Sequence, residues 1–364
     1  MNDPTSQEAR PADADTDPIS SHDTGSRPMT VQLGMGFALD IGAPETFCAT
    51  ARAADRAGLS MLGVGDSPAW LGDVYVGMSL IAQNTSNCRV MSWVTNPRTR
   101  HPVVAAAAVT TVDAISGGRA VLGLGSGETG VHNLGVKRAT LAQLEDFIGT
   151  VRTVWDTGEF VSATGTARVP WAQRRIPIYL ATGGPKGLRL AGRLADGVII
   201  ETGVLPEIVD DSLAHLAAGA ADAGRSIQEI DIWWHVRACL ADSKQQARDL
   251  LRSPVAGMGN RSVNFGISRL IPEELRPKFE ELNRRYDMSQ HGPMMGNASL
   301  IDELGLSDYL LERWSIGGTT EDFITRLKEL DARGVHQIAI SGLMRDKIGF
   351  VTTLGAEILP AVNA

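Results

Sequence analysis

The chain has 364 residues, of which 43% are hydrophobic and 21% charged, ample material for a sizeable buried core. Its 34 basic and 42 acidic residues give a formal net charge of -8 with no basic block, which excludes the electrostatic footprint of a nucleic-acid binder. No apolar run approaches the roughly 18 residues of a membrane span. The three separated cysteines, Cys48, Cys88 and Cys239, make neither a CxxC nor a metal spacing, so a cytoplasmic protein without disulfides is expected.

Residues 1–29 are polar and acidic, with almost no large apolar side chains, and are expected to be a disordered tail rather than a signal peptide. From there short apolar runs alternate with amphipathic ones. Strands are expected at Val31–Leu39, Leu59–Val64, Arg89–Val94, Ala120–Leu124, Ile178–Ala181, Gly197–Glu201, Ile230–Leu240 and Val335–Ser341. Helices are expected at Pro44–Ala57, Tyr75–Asn84, His101–Ile115, Leu141–Trp155, Leu188–Ala195, Pro206–Ala223 and Asp346–Leu359, with a surface hairpin over Phe160–Val169. Eight strands alternating with helices predict an α/β fold, a TIM-like (β/α)8 barrel spanning residues 30–364. The run 243–331 is too long for one crossover and reads as a helical insertion able to cap the mouth.

Two glycine-rich loops follow strands and therefore open on that mouth. Gly183-Gly184-Pro185-Lys186 precedes a helix; its backbone N–H groups, the helix N-terminus and the Lys186 charge suit an anion, although an ordinary βα turn uses the same residues. Gly123-Leu124-Gly125-Ser126-Gly127-Glu128 lacks the final glycine of a dinucleotide fingerprint. It is better read as letting a flat ring approach the backbone, with Glu128 projecting into the mouth. Among the histidines, His101, His132 and His291 are candidate substrate contacts, while His235 reads as core packing. None has metal-ligand spacing.

The run Val94-Thr95-Asn96-Pro97, then Thr99-Arg100-His101-Pro102, Asp113-x-x-Ser116-Gly117-Gly118-Arg119-Ala120-Val121-Leu122-Gly123 and Asn133-Leu134-Gly135 carries a resemblance. So do Gly184-Pro185-Lys186, Leu190-Ala191-Gly192, Ala195-Asp196-Gly197-Val198, Gly317-Gly318-Thr319-x-Glu321-Asp322 and Gly334-Val335. Across about residues 31–345 the chain resembles the bacterial luciferase-like flavin oxidoreductases, in the branch typified by methylenetetrahydromethanopterin reductase.

The resemblance implies a barrel that binds coenzyme F420 or FMN at the strand C-termini. It implies a bulged third strand with a non-prolyl cis peptide at Trp93–Val94. Trp93, Val94, Thr95, Asn96 and Gly127 would surround the ring, and Gly183, Gly184, Pro185 and Lys186 would hold the phosphate. Glu128 matches a proton-handling carboxylate of a deazaflavin-dependent sugar-phosphate dehydrogenase. Asp66 is the second candidate, because Ser67 replaces the histidine that usually follows it. Trp93 is larger than the usual residue there, so either its indole points away or the ring is seated differently. The resemblance also implies a homodimer.

Three functions follow from this reading. One is hydride transfer between F420 and a small organic substrate. The second is an FMN-dependent monooxygenase fed by a separate reductase. The third is a non-catalytic flavin-binding protein. An Arg/Lys-lined channel for the oligoglutamate tail separates F420 from FMN.

Overall fold

The computed structural model describes residues 30–172, 174–264, 268–290, 296–342 and 346–364. The expected tail and His291 lie outside these residues. Eight parallel strands form the barrel: β1 Gln32–Phe37, β2 Met61–Val64, β3 Arg89–Ser92, β4 Ala120–Leu124, β5 Ile178–Thr182, β6 Gly197–Ile200, β7 Asp231–Leu240 and β8 Gln337–Gly342. Each pairs with the next, and β8 returns to β1, so the sheet closes. Helices Pro44–Arg56, Val74–Asn84, Pro102–Ser116, Leu141–Thr157, Pro185–Leu194 and Pro206–Asp222 fill the crossovers.

The two-residue period of each strand sorts its side chains. Met61, Met91, Val121, Tyr179, Ile199, Trp233 and Ala339 form a layer inside the barrel. Their neighbours Leu62, Val90, Leu122, Leu180, Val198, Trp234 and Ile338 face the helices in the main core. A separate apolar core, including Leu251, Val255, Phe279, Leu310 and Trp314, holds the insertion between β7 and β8 together.

Two elements depart from expectation. The insertion contains a strand, Ser315–Gly318, parallel to Arg237–Leu240. The ten residues of β7 outrun the four of β6, leaving an open edge that this strand covers. The helix after β5 begins at Pro185 rather than Leu188, because proline fits the first helical turn, where its missing N–H is not needed. The three cysteines are buried and free.

The Ser116-Gly117-Gly118-Arg119 motif lies at the end opposite the mouth. Gly117 and Gly118 have φ of 68° and 89° and stop the preceding helix. Arg119 then donates to the carbonyls of Ala82, Thr85 and Cys88. That half of the motif is a structural staple.

Candidate active site

The mouth begins with a bulge after β3. Met91 pairs with Val121, and the next bridge joins Thr95 to Leu124, so four steps on one chain match three on the other. The Trp93–Val94 peptide inside this bulge is cis. Ser92 Oγ exchanges 2.9 Å hydrogen bonds with the Gly123 carbonyl and N–H, supplying partners that the interrupted ladder leaves open. A Cβ on Gly123 would lie 2.1 Å from the Ser92 carbonyl oxygen, and one on Gly125 2.9 Å from Val94. These two glycines therefore make room for the bulge itself.

The Trp93 indole turns inward and lies across β1 and β2. A Cβ on Gly36 or Gly63 would come within 2.9 or 2.7 Å of it. Its ring meets His235 edge-on, with centroids 6.1 Å apart. The tryptophan thus forms part of the mouth's floor.

Asp66, after β2, is buried and committed. Its Oδ2 accepts from Thr95 Oγ1 and from Arg100, both at 2.6 Å, and Arg100 reaches on to Asp73 at 2.8 Å. This braces the loop after β3 against the loop after β2. Asn96 is also engaged: its Oδ1 accepts from the N–H groups of Arg98 and Thr99.

Glu128 stands apart from Asp66 in a second polar group. Its Oε1 is 2.9 Å from Arg261 Nε, on the insertion helix Lys244–Asn264. Arg261 also grips Glu201 Oε2 at 3.0 Å, and Glu201 Oε1 lies 3.5 Å from His235 Nδ1. His235 Nε2 meets Ser341 Oγ at 2.8 Å. Trp233, His235 and Arg237 follow one another along the inward face of β7, as Ile199 in β6 and Glu201 just after it do.

Electrostatics differentiate these groups. Burial raises the Glu128 carboxyl above its ordinary range; Arg261 opposes the shift and the Glu201 charge adds to it. Burial acts on Glu201 too, but there the Arg261 charge and hydrogen bond, with Arg237 beside them, outweigh it and lower its pKa. Two adjacent carboxylates are thus pushed apart, one toward holding a proton and one toward losing it. Burial, with repulsion from Arg237, lowers His235 to about 3, so its imidazole is neutral. Burial and Arg261 bring Arg237 down to about 10.

The loop Gly183–Lys186 opens on the same end. Gly184 precedes the helix Pro185–Leu194 with no side-chain cap, and Lys186 is exposed beside it. A cavity of about 50 Å³ next to this turn is lined by Ser126, Leu180, Thr182 and Gly187. This donor set, an uncapped helix N-terminus with a lysine that has no ion-pair partner among the described residues, suits a phosphate.

His101 Nδ1 accepts from Val103 N–H as a helix cap and its ring meets Phe160, while His132 is exposed after the Glu128 loop. The His132 N–H donates to the Glu128 carbonyl at 2.8 Å, but among the described residues neither imidazole meets the Glu128 carboxylate. Glu201, Arg237 and Arg261 were not singled out from sequence. The period-two pattern of Trp233-Trp234-His235-Val236-Arg237, with charge on the inward face, was a usable signal for Arg237. Nothing local marks Arg261.

Comparison with known proteins places the chain in a family and a fold. The family model for luciferase-like monooxygenases matches residues 23–337. A 5,10-methylenetetrahydromethanopterin reductase of Methanolobus tindarius is 28% identical over 298 residues, covering 79% of this chain and 87% of that one. An F420-dependent glucose-6-phosphate dehydrogenase of Amycolatopsis mediterranei is 23% identical, covering 79% and 83%. The structure of the coenzyme F420-dependent tetrahydromethanopterin reductase of Methanopyrus kandleri superposes with a TM-score of 0.72 at 22% identity, covering 91% of this chain and 99% of that one.

Proposed function

The chain belongs to the luciferase-like monooxygenase family and is an oxidoreductase; we propose that it moves a hydride between coenzyme F420 and a small organic substrate. The observation that carries this reading is the carboxylate pair Glu128 and Glu201, joined by Arg261 at 2.9 and 3.0 Å and shifted in opposite directions. F420, when bound, supplies a carbon centre that accepts or gives a hydride.

The protein's own residues supply the rest. Glu128, whose pKa is raised, holds or passes the proton that accompanies the hydride. Arg261 fixes its carboxylate, and Glu201 keeps Arg261 in place. Trp93 and Val94 present an apolar floor. The uncapped helix at Pro185 and Lys186 are the proposed phosphate seat, where backbone N–H groups and a full charge act together. Arg98, Lys137 and Arg138 are exposed on the rim, with Arg98 Nε bonded to the Lys137 carbonyl at 3.1 Å. This basic rim supports a cofactor with an acidic tail over FMN, whose phosphate needs only the Lys186 turn.

Parallel titration of the purified protein with F420 and FMN tests the reading. Saturable F420 binding that weakens with added salt is expected, because the tail contacts lie on an exposed rim. Tight FMN binding with none of F420 would overturn it in favour of a flavin monooxygenase.

A further inference from the structure

Arg237 is the one guanidinium of the mouth whose charge the protein leaves without an oxygen partner among the described residues. Its Nε is buried with no hydrogen-bond acceptor, and its NH2 finds only the Met258 sulfur, at 3.7 Å. A largely buried cation in that state is costly, since the desolvation of its Nε is not returned by a paired acceptor. Arg313 makes a useful contrast. It too has an unpaired NH2, but its other nitrogens reach the Thr202 and Leu270 carbonyls and the Tyr309 hydroxyl.

The acids nearest Arg237 are already in use. Glu128 and Glu201 share Arg261. Arg237 also stands at the inward position of β7 directly beyond His235, on the mouth side, and keeps partial solvent access. Two arginines against two glutamates make the group neutral when both acids are ionised. With Glu128 carrying a proton, as its raised pKa favours, one positive charge is left over.

We propose that Arg237 is the specificity anchor for a carboxylate on the substrate, which takes the Nε–H and neighbouring N–H donors that the protein leaves open. An Arg–carboxylate pair is bidentate and directional, so it fixes orientation as well as charge. The substrate of the proposed reaction is then an organic acid whose reacting carbon lies between Arg237 and Glu128. That this anion is the substrate rests on the proposed hydride-transfer function; the anion site stands on its own geometry.

The test uses butyrate and its neutral isostere butyramide, with inorganic phosphate as a third probe, read as ligand-dependent Tm shifts of the full chain. Butyrate is expected to raise Tm in a saturable way and butyramide to leave it unchanged. Arg237→Met should weaken the butyrate response about 10- to 100-fold, as loss of a charge-assisted hydrogen-bond pair predicts. Arg237→Lys should retain part of it. The unliganded Met variant should melt at or above the wild-type temperature, because an unpaired buried charge has been replaced by an apolar chain. F420 affinity should be unchanged by Arg237→Met.

Equal responses to butyrate and butyramide, no butyrate response, or a response that survives Arg237→Met would overturn the proposal. A phosphate response exceeding that of butyrate would replace the carboxylate by a phosphate ester. Loss of F420 binding in the Met variant would make Arg237 a cofactor contact instead. A wild-type protein that binds butyrate through Arg237 but neither F420 nor FMN would sink the proposed F420 hydride-transfer function and leave the anion site intact.

Discussion

At the closed end of the barrel, Asp231 accepts from Arg89 at 2.6 Å, Gln337 at 2.6 Å, Trp233 Nε1 at 3.2 Å and the Tyr179 hydroxyl. At the open end stand Glu128, Glu201, Arg261, His235 and Arg237, yet among the described residues the Nε of Arg237 and Nδ1 of His235 have no hydrogen-bond partner. The two groups stand at opposite ends of the same eight-stranded barrel, and both contain arginine and carboxylate. In the first, burial disfavours the Asp231 charge, but Arg89 and the other donors more than compensate and hold its pKa low. In the second, donors are left over. A polar network that satisfies itself stiffens a fold, whereas unused buried donors call for an explanation, which the proposed carboxylate would supply here.

That contrast can be broken by substitution. The largest effect is expected at the open end: Glu128→Gln should cut turnover with F420 by about 10²–10⁴ while leaving Tm and F420 affinity close to wild type, as removal of a proton-transfer group does. Steady-state kinetics beside a thermal melt would check this. Unchanged turnover would move the proton role away from Glu128.

At the closed end the effect should fall on stability instead. Asp231→Asn removes the charge that holds Arg89, and is expected to cost about 2 kcal/mol, with activity per folded molecule preserved. Urea unfolding gives the number. A variant as stable as wild type would mean that the two ends do not differ as described.

The smallest effect concerns pH. His235 titrates near 6.5 in an unfolded chain and at about 3 in the folded one. Between those values the unfolded state binds the extra proton, so the stability this residue contributes above 6.5 is lost as pH falls toward 3. His235→Asn should flatten the acid limb of the Tm–pH curve. Parallel curves for the two proteins would show that the folded imidazole already carries its proton.

Much of the fold was legible because strand and helix periodicities are local. The β4 strand was placed at Ala120–Leu124 in both readings, and the loop after it placed Glu128 at the mouth. The covering strand Ser315–Gly318 was not legible, since its four residues gain a partner only because β7 outruns β6. The glycines of Gly123-Leu124-Gly125 were visible, but their purpose was not. They clear the Ser92 carbonyl and Val94 of a bulge some 30 positions earlier, a distance that exists only in the folded barrel.

The sequence by itself determined the alternation of strands and helices, the two glycine-rich loops and the family resemblance, all of which depend on short-range pattern. Tertiary structure decided which charges meet. Arg261 joins Glu128 and Glu201 because barrel closure and the return of the insertion bring three distant segments to one mouth. It also decided that Arg237 finds no oxygen partner among the described residues, a property no single segment carries, because it depends on what every neighbouring segment has already bound.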